Sequence, residues 1–155
     1  MDERTIDLGA ALEIVKQSCA VYRFMEIELL AMEEGVFRVR TPLTSNTANH
    51  VNIMHASMLF ATAEILGGLV AMRHVAKPET FQPVVREVKI SYLKPAFSAA
   101  TAEARFTAEE AAEMNAQLDA SGKFDFDLMA RVTDERGETV AETLGAYAIR
   151  NFAGG

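Results

Sequence analysis

The chain has 155 residues, half of them hydrophobic and 24% charged, a composition that suits one globular domain over residues 1–155 and excludes a disordered chain. Its formal net charge of −7 argues against nucleic acid as a partner, because phosphate binding needs clustered Lys and Arg. The single cysteine, Cys19, has no internal disulfide partner, which fits a reducing compartment and an expected cytoplasmic location.

The start, MDERTIDLG, carries charges of both signs and no apolar core, so it does not read as a secretory signal. Residues 6–17, IDLGAALEIVKQ, place Ile6, Leu8, Leu12 and Val15 on one face, the pattern of a short amphipathic helix. FMEIELLAM (24–32) alternates Met25, Ile27 and Leu29 against Glu26 and Glu28, a strand period. EEGVFRVRTPL continues it with Phe37 and Val39 opposing Arg38 and Arg40. Glu33-Glu34-Gly35 reads as a hairpin turn, and Pro42 ends the second strand before the polar loop TSNTANHVN.

A long helix is predicted from about His55 to His74. It is apolar nearly all round, so it is expected to be enclosed rather than to lie on a surface. The run from Ala56 to Met72 is 17 residues and contains Glu64 and two glycines. A membrane-spanning helix needs about 20 predominantly apolar residues, so a buried helix is expected and a membrane is not. Ala56, Ser57, Ala61, Ala63, Gly67 and Gly68 are small and predict a closely packed neighbour. The two glycines lower helix propensity and are expected to serve that packing.

QPVVREVKISYLKPA (82–96) and TAEARFT (101–107) read as strands. Thr107 followed by Glu110 reads as a capping box that opens a short helix to about Leu118. KFDFDLMARVTD alternates Phe124, Phe126, Leu128, Ala130 and Val132 against Asp125, Asp127 and Arg131, which puts both aspartates toward solvent. ERG turns the chain into a last strand, ETVAETLGAYAIRN. An antiparallel β-sheet wrapped around one long central helix, an α+β fold, accounts for the whole pattern.

Two strands, an enclosed helix and four more strands resemble the hotdog fold. NHVNIMHASMLFATAE is similar to a segment of the PaaI-like acyl-CoA thioesterases that reads Asn…His-Gly-Gly…Asp/Glu, with Asn49, His55 and Glu64 on those spacings. VKISYLKPA resembles the family's next strand and DERGETVAETLGAYAIR its closing hairpin. The helix inserted at 107–118 resembles the DUF4442 branch of the superfamily (YiiD C-terminal-like). The likeness covers nearly the whole chain. One departure stands out: Ala56 and Ser57 occupy the two glycine positions. The resemblance implies hydrolysis of an acyl-CoA thioester, with coenzyme A as part of the substrate. It also implies an oxyanion-holding N–H from Ala56, Asn49 positioning the nucleophile or water, and sites shared between subunits.

Glu64 is the one carboxylate in its apolar stretch. Burial raises a carboxyl pKa, and such a group is either a structural carboxylate or a base or nucleophile toward a thioester. His55 and Ala56 lie at the helix start, where free N–H groups and the positive end of the dipole can polarise a carbonyl. His55 either orients the preceding loop or is a satisfied N-terminal histidine. Ala56 and Glu64 are eight residues apart, about 12 Å along a helix, while reacting atoms must come within about 3–3.5 Å. One helix cannot bring both to one thioester. Two antiparallel helices across a two-fold axis can, so a homodimer, open to pairing again into a tetramer, is expected.

Ser57 is grouped with the substrate-binding residues. Arg86, Lys89 and Lys94 make the following strand locally basic and suit coenzyme A phosphates as well as they suit a solvated strand face. Cys19 reads as a small core residue, and the eight methionines as core filling or an adaptable lining. No Cys/His metal spacing and no Gly-rich phosphate loop occur, so neither a metal nor a resident cofactor is expected. Two other readings stay open. His50 lies 14 residues before Glu64, which resembles the acid/base pair of hydroxyacyl-thioester dehydratases of this fold, although their Gly- and Pro-rich loop is missing. A non-catalytic acyl-CoA binding protein is the other.

Overall fold

The computed structural model describes residues 5–33 and 35–152, so Glu34 of the expected turn and the first four residues of the start lie outside it. The described elements are α1 (Leu8–Ser18), α2 (Ala20–Phe24), β1 (Glu28–Glu33), β2 (Val36–Thr41), α3 (Ala56–His74), β3 (Phe81–Tyr92), β4 (Ala100–Arg105), α4 (Ala108–Ser121), β5 (Lys123–Thr133) and β6 (Thr139–Asn151). Every strand pairing is antiparallel, in the order β1-β2-β4-β5-β6-β3. Helix α3 lies across one face and packs against all six strands. This is the hotdog fold that the resemblance implied.

Local chemistry explains most boundaries. Asp7 caps α1 by accepting from the Gly9 and Ala10 N–H groups at 2.9 and 3.1 Å. Both halves of the expected capping box open α4: Glu110 N–H donates to Thr107 Oγ1 at 3.1 Å, and Thr107 N–H donates to Glu110 Oε2 at 2.6 Å. By length and composition α3 could cross a membrane, with mean hydropathy 1.3. Its apolar side is instead spent on the sheet.

Two elements depart from the sequence reading. The first strand begins at Glu28 rather than at Phe24, because Ala20–Phe24 forms the short helix α2. Glu26 then takes a positive φ of 55° and turns the chain into β1. Met25, Ile27 and Leu29 are all buried through that turn, so the alternation was real although the backbone under its first half is not a strand. In β3 the pairing with β6 shifts between Val85 and Glu87, which makes Arg86 the extra residue of a β-bulge. Burial changes parity there: Phe81 and Pro83 are covered before the bulge, Val88 and Ile90 after it.

Three contacts seat α3. Thr62 Oγ1 donates to the Met58 carbonyl at 2.6 Å and shares a 2.7 Å hydrogen bond with Thr41 Oγ1, so a buried hydroxyl pair ties the helix to β2. On the other flank, the Tyr147 hydroxyl donates to the Glu64 carbonyl at 2.9 Å. The Tyr147 ring lies where the side chains of Gly67 and Gly145 would otherwise stand. Gly67 therefore serves packing as expected. Gly68 does not, since nothing lies within 4 Å of where its Cβ would be.

The expectation of an enclosed helix is corrected by this geometry. Leu59, Ala63, Leu66 and Val70 are buried against the sheet. Ser57, Phe60, Ala61, Glu64 and Gly68, spaced at helical intervals, form a stripe that the chain's own elements leave partly or fully open. A single sheet covers only one side of a helix.

The two glycines should behave oppositely. Gly67→Ala is expected to lose about 1–3 kcal/mol through collision with Tyr147. Gly68→Ala should gain up to about 1 kcal/mol of helix propensity. Urea denaturation of both variants checks this, and a destabilised Gly68→Ala protein would contradict the open space beside that residue.

Candidate functional site

The loop before α3 is organised by Asn49. Its Oδ1 accepts from the Val51 and Ile53 N–H groups at 3.0 and 3.2 Å, and its own N–H donates to the Ile53 carbonyl at 2.8 Å. The carbonyl end of the side chain thus holds the turn, and the amide nitrogen has no partner among the described residues. The loop is anchored where His55 N–H donates to the Thr47 carbonyl at 2.8 Å. His55 is the N-cap of α3, and its Nδ1 accepts from the Ser57 N–H at 3.0 Å. The ring of His55 thus caps the helix start while its backbone N–H holds the loop.

That cap allocates the donors of the first turn. Ser57 N–H goes to His55 Nδ1, and the Met58 and Leu59 N–H groups go to the His55 carbonyl at 2.9 and 3.1 Å. The Ala56 N–H alone of these four has no acceptor among the described residues. Tyr92 Oη donates to the Ala56 carbonyl at 3.0 Å and braces the helix start against the end of β3. Asn49, Ala56 and Lys94 line one cavity of about 300 Å³ at this point. His55, Ala56 and Ser57 are all exposed in the single chain.

Glu64 is not part of that cluster. It lies two turns along the same helix, about 12 Å away at 1.5 Å per residue. It is half-buried, and its carboxylate has neither a hydrogen bond nor an ion pair among the described residues. Desolvation pushes its pKa above the ordinary carboxyl value of 4.5. Two phenols sense its charge. Burial first, and then Glu64, pushes Tyr22 up to about 12, and the same two causes raise Tyr147. Neither tyrosine was singled out in the sequence. Tyr22 sits on the five-residue helix that strand periodicity concealed. The signal for Tyr147 is its place two residues after Gly145, on a strand whose neighbours are small.

The basic residues are mostly engaged. Arg86 bonds Asp125 at 3.1 Å, and Asp125 also holds Arg150 at 2.6 Å; both of the expected outward aspartates are exposed. Lys94 pairs with Glu138 at 3.4 Å, both well exposed. Lys89 is exposed, with no ion pair among the described residues. His50 is exposed on the turn after Asn49, and Cys19 is an exposed free thiol between α1 and α2 rather than a core residue.

Residues 13–146 match the model of the family described as "Domain of unknown function (DUF4442)". The chain belongs to that family. It is a member of the DUF4442 branch of the hotdog thioesterase superfamily. Among solved structures, PA5026 of Pseudomonas aeruginosa, a protein of unknown function called a "probable thioesterase", is 27% identical with a TM-score of 0.85, over 97% of this chain and 99% of that one. The thioesterase HI1161 of Haemophilus influenzae shares the fold at 18% identity and a TM-score of 0.71, over 96% and 94% of the two chains. A Saccharolobus solfataricus protein named "Putative esterase SSO2140" is 23% identical over 90 residues, 58% of this DUF4442 chain. The match spans 62% of that relative, so less than two thirds of its length is covered.

An unpaired, partly buried carboxylate has a consequence for stability. Below about pH 4.5, the ordinary value, Glu64 is protonated in both folded and unfolded chains and costs the fold nothing. As pH rises from there through the raised native pKa, the unfolded chain ionises first and stability is lost. Glu64→Gln should therefore match the wild type at low pH and be the more stable protein at neutral pH. Melting curves of both across pH 4–8 check the sign; a variant less stable at pH 7 would mean that the carboxylate is a structural anchor.

Proposed function

We propose that this DUF4442 protein hydrolyses an acyl-CoA thioester at sites completed by two subunits. One observation carries the reading: a single helix bears a free Ala56 N–H at its positive end and, about 12 Å on, the unpartnered carboxylate of Glu64 on its uncovered stripe. The superfamily and the thioesterase name borne by PA5026 support the reaction class.

The ionised Glu64 takes a proton from a water that attacks the thioester carbonyl carbon, or attacks that carbon itself. Asn49 lines the same cavity as Ala56, so the spare amide of Asn49 of the partner subunit orients the attacking group. Negative charge gathers on the carbonyl oxygen, and the Ala56 N–H of the partner subunit donates to it from the positive end of its helix. The C–S bond then breaks. The coenzyme A sulfur leaves with the electron pair and a proton, and the carbon keeps the added oxygen as the free acid. If Glu64 attacks first, the sulfur leaves as the thiolate, and one water then cleaves the acyl-Glu64 anhydride, its oxygen joining the acyl carbon and its spare proton passing to the thiolate.

Packing supports the dimer. The 12 residues of β3 form an edge of the sheet, with Val84 and Val85 41% and 45% exposed. Exposed apolar strand edges are normally paired or protected. An antiparallel ladder between two β3 edges, centred on the strand, lays Phe81 of one chain beside Tyr92 of the partner subunit. Tyr92 holds the start of α3, so that start is carried toward the neighbour's Glu64. Ser57 and Ala61 on the open stripe are small enough to let a second helix approach.

A proline substitution isolates the oxyanion donor. Ala56 is the first helical residue, where proline is tolerated, and His55 already has φ −63° and ψ 140°, which suits a residue before proline. Ala56→Pro should keep its melting temperature and lose about 10²–10³-fold in kcat. Glu64→Gln should lose roughly 10²-fold or more. Co-expressed as an equal mixture, the two should recover about a quarter of wild-type activity, since half the dimers are mixed and each of those has one intact site. A mixture no more active than its parents would remove the shared site.

Lys94 lines the cavity at the helix start, and its exposed pair with Glu138 holds it weakly. Lys94→Ala should raise KM for acyl-CoA a few-fold while leaving the KM of an acyl-pantetheine unchanged, because only the former carries nucleotide phosphates. Arg86→Ala should matter less, since Asp125 already engages it. Equal effects on both substrates would return Lys94 to a solvated strand end.

A further inference from the structure

We propose that the cavity between α1, α3 and the start of β3 receives a linear, apolar acyl chain, and that the bare backbone at Gly68 sets how long a chain fits. This rests on the thioester reading and adds which acyl groups the site serves. The cavity has a volume of about 500 Å³, within the range of roughly 300–1,000 Å³ usual for small-molecule pockets. Ile14 comes from α1, Ile65, Gly68 and Met72 from α3, and Phe81 from β3.

Its chemistry sets it apart. Four other cavities, of about 300 to 530 Å³, each have a charged side chain in the wall, among them Lys94, Glu103 and Arg73. This one has none. Of its few polar side chains, Ser18 donates to the Val15 carbonyl at 2.7 Å and Gln82 to the Pro78 carbonyl. Both are thus turned back on their own backbone. A charged acyl group would give up its water for nothing here, whereas a hydrocarbon would lose only unfavourable hydration.

Its position ties it to the carboxylate. The wall begins at Ile65, beside Glu64, and Gly68 follows Glu64 by four residues on the same helix face. Tyr22 stands in the same wall and feels the Glu64 charge. From Ile65 to Val75 the α3 wall runs about 15 Å. An acyl group whose carbonyl lies at Glu64 therefore has one apolar direction to extend, past Gly68 toward Met72. At Gly67 the equivalent space is filled by Tyr147; at Gly68 it is empty to 4 Å. At Gly68 an added side chain would stand in that open path.

The test compares decanoyl-CoA with butyryl-CoA in the wild type, Gly68→Leu and Ile14→Phe, which obstruct the cavity from opposite walls. One methylene in an apolar pocket is worth about tenfold or more in kcat/KM. The ratio of kcat/KM for decanoyl- over butyryl-CoA should therefore fall at least about tenfold in both variants. Calorimetric binding of decanoate to the same three proteins, with sedimentation of each, separates the possible failures. Decanoate binding that is lost in Gly68→Leu, in a protein that hydrolyses neither thioester, would uphold the cavity and sink the thioesterase reading. Hydrolysis with an unchanged chain-length ratio in both variants would overturn the cavity and leave the reaction standing. An altered oligomeric state with an unchanged ratio would also overturn it, and would assign the space to subunit contact.

Discussion

A helix can be covered on one side by one sheet, and the rest of this structure follows from that limit. Helix α3 gives Leu59, Ala63, Leu66 and Val70 to the six strands. What remains is a stripe with Ser57, Ala61, Glu64 and Gly68 on it. An apolar helix with such a stripe is only half a core. In the proposed dimer a second copy of the chain lies over that stripe, and the uncovered β3 edge beside it offers the place for one. The same rigid geometry keeps Ala56 and Glu64 about 12 Å apart, so no side-chain rearrangement within one chain can join them.

The sheet side of α3 is set by close contact rather than by bulk. Tyr147 reaches the helix because Gly67 and Gly145 leave room for its ring, and its hydroxyl closes on the Glu64 carbonyl at 2.9 Å. The backbone of Glu64 is thereby held while its carboxylate has no partner among the described residues. A held backbone and an unpaired side chain suit the role proposed for Glu64, whose bonding would change during the reaction. They also account for the direction of its pKa, since nothing offsets the loss of water.

At the helix start the accounting of donors is equally specific. His55 takes the Ser57 N–H, and its carbonyl takes the next two, so one donor remains on the end where the dipole is positive. The departure from two glycines to Ala56 and Ser57 does not remove that donor. A backbone N–H survives any substitution except proline, and the methyl of Ala56 is exposed.

Much of this was legible in the residues. The long apolar run of Ala56–His74, the capping box at Thr107 and Glu110, and the alternation of β5 are local patterns, and local patterns decide local backbone. The alternation through Met25, Ile27 and Leu29 misled because burial repeats every two residues in a strand and can do the same across a helix end and a turn. The bulge at Arg86 was hidden because an extra residue changes which side chains face inward without changing their composition.

The sequence by itself determined the α+β pattern, the isolated carboxylate at Glu64, the helix start at His55 and Ala56 and the separation between them, since all of these depend on spacing along one chain. Only the tertiary structure decided that Tyr147 sits under Gly67, that Tyr22 comes within reach of the Glu64 charge, and that Gly68 opens onto an apolar cavity. Those facts depend on the register of β6 beneath α3 and on where α1 folds back. Register is a choice among pairings that one strand's own pattern cannot rank, because every shift of two residues keeps the same face inward.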